Sequence, residues 1–205
     1  PVLVMQRENT VFRVETTTGP HALRLHRPGY HALAAIRSEL DWMAMLAANG
    51  IQVPRPAPTH SGALLVSLPD GRLASLLSWL PGAPLGQSGQ PLDLGNRDRR
   101  AVFRRIGAEM ARLHRLSDDW QRPAGFDRPA WDRAGLIGPA PVWGRFWEIP
   151  VSGADSVLLR QTRDRLAAAL ADYDAQGADC GLIHADLVRE NILLDGDEVR
   201  FIDFD

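Results

Sequence analysis

Four side chains capable of chemistry fall within one short stretch, residues 182–205: His184, Asp186, Asn191 and Asp203. Residues 192–194 are an apolar run, Asp195-Gly196-Asp197 is turn chemistry, and residues 199–202 read apolar, basic, apolar, apolar, so the stretch predicts a β-hairpin. Asn191 enters one strand as Asp203 leaves the other, and antiparallel pairing brings those two ends to one edge for any register within a residue. An amide oxygen and a carboxylate so placed suit Mg²⁺, which prefers one or two carboxylates completed by substrate phosphates and water. Asp186, on the loop before the hairpin, is directed at the same place. His-x-Asp ahead of an acidic hairpin can be a chance pair on a solvated surface; Asn191 and Asp203 at matching spacing weigh against that.

Composition narrows the chemistry further. The 205 residues suffice for a buried core, as one domain or as two small lobes. A formal charge of -2 gives no reason to expect nucleic acid or an anionic membrane as partner. Cys180 is alone, no apolar run nears the ~18 residues of a membrane span, and the chain reads as cytoplasmic. All 23 residues counted as Lys+Arg are arginine, which removes the Walker A phosphate loop and any Schiff-base mechanism, both of which need lysine.

The elements that must hold the four residues are legible in outline. Residues 2–5, 10–15 and 21–26 are β-rich runs separated by turn residues and predict a three-stranded antiparallel meander. A break at Pro28-Gly29 precedes a helix over about 31–48, with Leu33, Ile36, Leu40, Met43 and Ala47 on its buried face and Glu39 beside it. A Pro-rich connector follows at 51–58, then two strands at 63–68 and 73–79 that complete a five-stranded sheet. Residues 83–95 read as a loose stretch. A long helix over about 97–116, capped by Asn96 or Asp98, carries Phe103, Ile106, Met110 and Leu113 on one face. The aperiodic, tryptophan-containing residues 117–156 fit either a substrate lid and cation cage or a loop pinned to the surface by its aromatics. A last helix, 157–173, presents Leu159, Leu166, Leu170 and Tyr173.

His184-x-Asp186-x-x-x-x-Asn191 followed by Ile202-Asp203-Phe204 resembles the catalytic and metal-binding loops of the kinase-like phosphotransferases, and most of all the aminoglycoside phosphotransferase and choline kinase family. The resemblance implies a two-lobed, α+β, protein kinase-like fold. Residues 1–80 would form the N-terminal lobe, a five-stranded antiparallel sheet with one helix, and 81–205 a mainly helical C-terminal lobe with the catalytic hairpin, incomplete because the family continues with further C-terminal helices. It implies ATP and Mg²⁺, with Asp186 as catalytic base, Asn191 and Asp203 as metal ligands and His184 bracing the loop. By position it also assigns Arg24 to the phosphates in place of the family's lysine, Glu39 as its partner (or a solvated helix-face carboxylate), and Asn9 and Thr10 to the phosphate-covering turn. The Ser78 carbonyl and Leu80 N–H would read the adenine. The turn departs from the family in having no glycine. Asp205 would add a contact near the metal or stand solvated.

The expected activity is transfer of the γ-phosphate of ATP to a hydroxyl of a small molecule of aminoglycoside, choline or homoserine type, with no obligate protein partner. Three rivals stay open: a catalytically impaired nucleotide binder, a protein Ser/Thr kinase, and a metal hydrolase using His184 and Asp186. Ala185 and Val188 stand where protein kinases carry Arg and Lys, against the second. The third lacks a second histidine cluster.

Overall fold

The computed structural model describes residues 1–205. Strands β1 (Val2–Gln6), β2 (Asn9–Thr16) and β3 (Gly19–His26) form the expected meander. Their register sets Phe12 opposite Leu23 and Val11 opposite Arg24, so alternate residues of β2 share a face with Arg24. β5 (Leu73–Ser78) adds beside β3, and β4 (Val66–Ser67) beside β5, giving the order β1-β2-β3-β5-β4.

β4 is shorter than the expected 63–68. The Thr59 N–H donates to Ala63 O, and the Ala63 N–H donates to Thr59 Oγ1, so residues 59–63 are spent on a turn and two residues reach the ladder. The connector covers the edge that short β4 leaves open: the Ala57 N–H donates to Leu76 O and the Ser78 N–H to Arg55 O.

Helix α1 (Leu33–Ala48) buries Ile36, Leu40 and Met43, as their spacing predicts, together with Trp42, Leu46 and Glu39. Leu33, at the helix start, is exposed instead. Helix α2 (Arg99–Asp119) is capped by Asp98, whose carboxylate accepts from the Arg100 N–H at 3.0 Å. It buries Val102, Ile106, Leu113 and Ser117; Phe103 lies one step round the helix and faces solvent. The Trp42 indole N–H donates to Ser117 Oγ at 2.9 Å, and that hydroxyl donates to Leu113 O at 2.8 Å, which joins the two helices inside the core.

The hairpin forms as β7 (Ile192–Asp195) and β8 (Glu198–Phe201). A third strand, β6 (Ala83–Pro84), pairs with β7 from within the stretch expected to be loose. Residues of α1, α2, β5, β7 and β8, with Phe204, share one continuous apolar cluster.

Residues 1–127 with 181–205 make one compact unit and residues 128–180 a second; residue 80, the expected lobe boundary, falls inside the first. The second unit contains α3 (Arg133–Ile137), a 3₁₀ turn (Phe146–Glu148) and α4 (Gly153–Ala175). Ser152 caps α4, accepting from the Asp155 N–H. Within this unit Trp131 meets Trp143 edge to face, Phe146 meets Trp147, and Arg163 lies over Trp147. No helix is long and apolar enough to cross a membrane.

Candidate active site

His184 is buried between the loop and the hairpin. Its Nε2 lies 2.9 Å from Ile202 O, and its Nδ1 lies 3.4 Å from the Asp186 N–H. One neutral tautomer satisfies both contacts, with Nε2–H donating and Nδ1 accepting. Both ring nitrogens thereby face backbone groups of the loop and of the segment after β8, and neither is offered to a metal. The ring also packs 4.4 Å from that of Phe204, which is fully buried and meets Trp42 edge to face at 5.1 Å.

Ala185 (φ 66°) and Asp203 (φ 69°) are the non-glycine residues with positive φ. Both adjoin the proposed chemistry, where packing from Phe204 and His184 over-determines an uncommon backbone. Asp186 is exposed. Asn191 is buried, and its Nδ2 donates to Asp186 O at 2.9 Å and to Asp186 Oδ2 at 3.1 Å, which leaves its amide oxygen as an acceptor for something else. The Ile202 N–H donates to Asn191 O, so the hairpin closes one residue before Asp203 and puts the two expected metal ligands at one edge.

A second set of charges lies beneath the sheet. Arg24, 5% exposed, donates from Nη2 to Glu39 Oε1 at 2.5 Å, and Glu39 is wholly buried. This is the pair expected from sequence; Glu39 is not a solvated helix carboxylate. Arg24 Nη1 lies 3.7 Å from Asp205 Oδ1, and Asn9 Nδ2 donates to Asp205 Oδ2 at 2.5 Å. Asp205 therefore links the strand arginine, the start of β2 and the segment that follows β8, a role that its position two residues after Asp203 only hinted at. Thr10 takes its place in the ladder opposite Gln6 and Leu25 and is outside these side-chain contacts.

The carboxyls respond to this crowding. Asp203 is exposed as a residue, yet lost hydration at its carboxyl, a hydrogen bond to Asp205 and that neighbour's charge push it up to about 8. Burial pushes Asp205 up as well, but the hydrogen bond from Asp203 and the charge of Arg24 outweigh it and hold Asp205 below its ordinary value. Burial disfavours the charged form of Arg24, and Glu39 with Asp205 more than restores it.

At the far end of the sheet, the Trp79 N–H donates to Pro20 O, which makes His21/Ser78 the non-hydrogen-bonded pair before it. Ser78 thus turns its backbone groups away from β3, its N–H to Arg55 O, while its Oγ accepts from the Arg55 N–H. Leu80 follows, half-buried, beyond the last pairing with β3.

No group of three or more His, Cys, Asp or Glu is gathered to enclose a metal. The donors at this edge are the Asn191 amide oxygen and the carboxyls of Asp203 and Asp205, all oxygen. Two adjacent carboxyls that retain a proton between them at neutral pH are a place that a divalent cation would relieve, and the set fits Mg²⁺ completed by substrate phosphate and water.

A family model described as the phosphotransferase enzyme family matches residues 3–205. The homoserine kinase of Methylobacillus flagellatus is 29% identical over 201 residues, covering 96% of this chain and 54% of that protein. Among solved structures, a microcompartment-associated aminopropanol kinase superposes with a TM-score of 0.74 at 33% identity, over 98% of this chain and 62% of that one. An amicoumacin kinase in complex with AMP-PNP, Ca²⁺ and Ami shares the fold with a TM-score of 0.74 at 20% identity, over 99% of this chain and 57% of that one. The chain spans about half the length of the curated relatives it matches.

Proposed function

The chain belongs to the phosphotransferase enzyme family, and from that premise we propose that it is the nucleotide-binding and catalytic part of an ATP-dependent kinase of small-molecule hydroxyls. Residues 1–80 cover the nucleotide and 81–205 carry the catalytic and metal-binding loops, in a cytoplasmic protein. The acceptor is a small alcohol of homoserine, choline or aminoglycoside type, in keeping with the homoserine and aminopropanol kinases among the relatives.

The observation that carries this reading is the buried chain of charges Glu39–Arg24–Asp205, reaching to within two residues of Asp203. Burying such groups costs several kcal/mol that their mutual attraction rarely repays, so structure alone gives little reason to keep them. A phosphate-binding role does.

In the reaction, the acceptor oxygen attacks the γ-phosphorus as the bond to the β-phosphate oxygen breaks and ADP departs; Asp186 takes the hydroxyl proton. Arg24, steadied by Glu39, faces the phosphates with permanent positive charge. The backbone of Ser78 and Leu80 orients the base, and Asn9 with Thr10 closes the turn over the phosphates. Asn191 and Asp203 would hold Mg²⁺, which supplies neutralisation of charge on the transferring phosphoryl group.

A catalytically impaired nucleotide binder is the second reading, favoured by the glycine-free turn and by an Arg24 whose two terminal nitrogens both face carboxylates. Coupled ADP release across a panel of small alcohols, with the full-length protein, separates the two. Turnover that drops ~10²- to 10⁴-fold in Asp186→Asn, with ATP affinity kept, supports the kinase. ATP binding without turnover on any alcohol supports the impaired binder.

A further inference from the structure

Outside the Glu39–Arg24–Asp205 chain, one other guanidinium in the first unit is buried. Arg200, on β8, is 6% exposed. Its Nη1 donates to Pro81 O at 2.9 Å and to Asp195 Oδ2 at 2.7 Å, and its Nη2 donates to the Glu198 carboxylate. Resting on the phosphotransferase reading above, we propose that Arg200 is a positioning residue. It fixes the base-reading segment 78–82 onto the hairpin that carries Asn191 and Asp203, and so sets the span between the base and phosphate ends of the bound nucleotide.

The register shows how far this side chain reaches. Arg200 pairs with Leu193, and Leu193 with Pro84, so β7 lies between Arg200 and the strand that Pro81 leads into. The guanidinium passes over β7 to meet the Pro81 carbonyl. Asp195 and Glu198 are directly opposite one another on the same face as Arg200, and their side chains are 48% and 59% exposed. Ion pairs so open to solvent contribute little. They give little reason to bury a guanidinium here, and the contact that ties two separate segments together is the one to the Pro81 carbonyl across the sheet.

The backbone next to that contact is built for close approach. Gly82 has φ +117°, and a Cβ placed on it would lie 2.9 Å from Leu194 O and 3.4 Å from Asp195 Cβ. Three residues on, the Leu85 N–H donates to Ile192 O at 2.7 Å, next to Asn191. The chain leaving Leu80 is therefore laid against β7 from Gly82 to Leu85 and pinned at its entry by Arg200. At the other end, Ser78 is held by Arg55. The planar fork of arginine suits the task, since one nitrogen can meet the carbonyl while the other meets a carboxylate; lysine offers a single point of charge.

If two subsites are held at the right span, a ligand that joins them gains affinity that neither half shows alone. Calorimetric titration of the full-length protein with adenosine, with magnesium tripolyphosphate and with magnesium AMP-PNP tests this. In Arg200→Lys, AMP-PNP affinity should fall about tenfold, equivalent to about 1.4 kcal/mol, while adenosine and tripolyphosphate stay within about twofold. Arg200→Met, which leaves two carboxylates facing each other and could fold poorly, should show the same split or a larger one if it folds. Equal weakening of all three ligands would mean a general structural role and would overturn the inference, as would no change in any. Wild type that binds none of the three removes the nucleotide reading itself; wild type and Arg200→Lys that bind alike remove only the role given to Arg200.

Discussion

Helices α1 and α4 carry similar sequence signals and meet different fates. Each has apolar residues at three- and four-residue spacing, yet α1 buries eight of its 16 residues and α4 none of its 23. Leu166 and Tyr173, expected on a covered face, are 44% and 53% exposed. Periodicity establishes that a helix has an apolar side; only the rest of the chain decides whether anything lies against it. In α1 the partners are present and the burial is complete enough to enclose a carboxylate.

The sharpest way to break this contrast is to remove that carboxylate. Glu39→Ala leaves Arg24 buried without its closest partner and should cost ~3–5 kcal/mol in chemical denaturation, as breaking one side of a buried pair does. A loss under 1 kcal/mol would mean that Arg24 can reach water and that the α1 interface is looser than drawn.

A smaller effect sharpens the comparison through pH. Burial and the charge of Arg24 push His26 down to about 3, with Asp205 opposing and His31 adding to the shift, while its Nε2 meets Ser75 Oγ. The unfolded chain takes up this proton near pH 6.5 and the folded one only near 3. Stability should therefore fall as pH drops below about 6.5, by up to about 1.4 kcal/mol per pH unit for one proton. His26→Gln should flatten the profile between pH 6.5 and 5 in denaturation curves, and parallel profiles for the two proteins would count against it.

The smallest expected effect lies in the second unit. Leu166→Ser should change stability by no more than ~0.5 kcal/mol, as for an exposed surface position. A loss above 2 kcal/mol in the full-length protein would show that other residues cover this face.

Contacts made within the hairpin are more legible in the sequence than those made across the fold. His184, Asp186, Asn191 and Asp203 are close in sequence and joined by one hairpin, so local rules placed three of them almost without tertiary information. The pairing of Arg24 with Glu39 follows from family position, because a strand arginine and a helix glutamate carry no local mark of burial. The sequence leaves Asp205 between a contact and a solvated position for the same reason: its partners, Arg24 and Asn9, are distant in sequence. The two residues of β6 give no alternation to read, and the signal for this strand is instead the glycine before it, which lets the backbone approach β7. Phe103 faces solvent and Trp42 the core, against the expected stripes, because a 3.6-residue period locates a stripe only to within a residue.

The absence of lysine bears on how the buried charges around Arg24 behave in alkaline solution. An ammonium enclosed as deeply as the Arg24 side chain would surrender its proton readily, and its hold on an anion would fade as it did so. A guanidinium keeps its charge throughout the range in which proteins stay folded, and Glu39 and Asp205 strengthen that tendency here. Whatever limits this protein at high pH, it will not be neutralisation of the cation enclosed beneath the sheet.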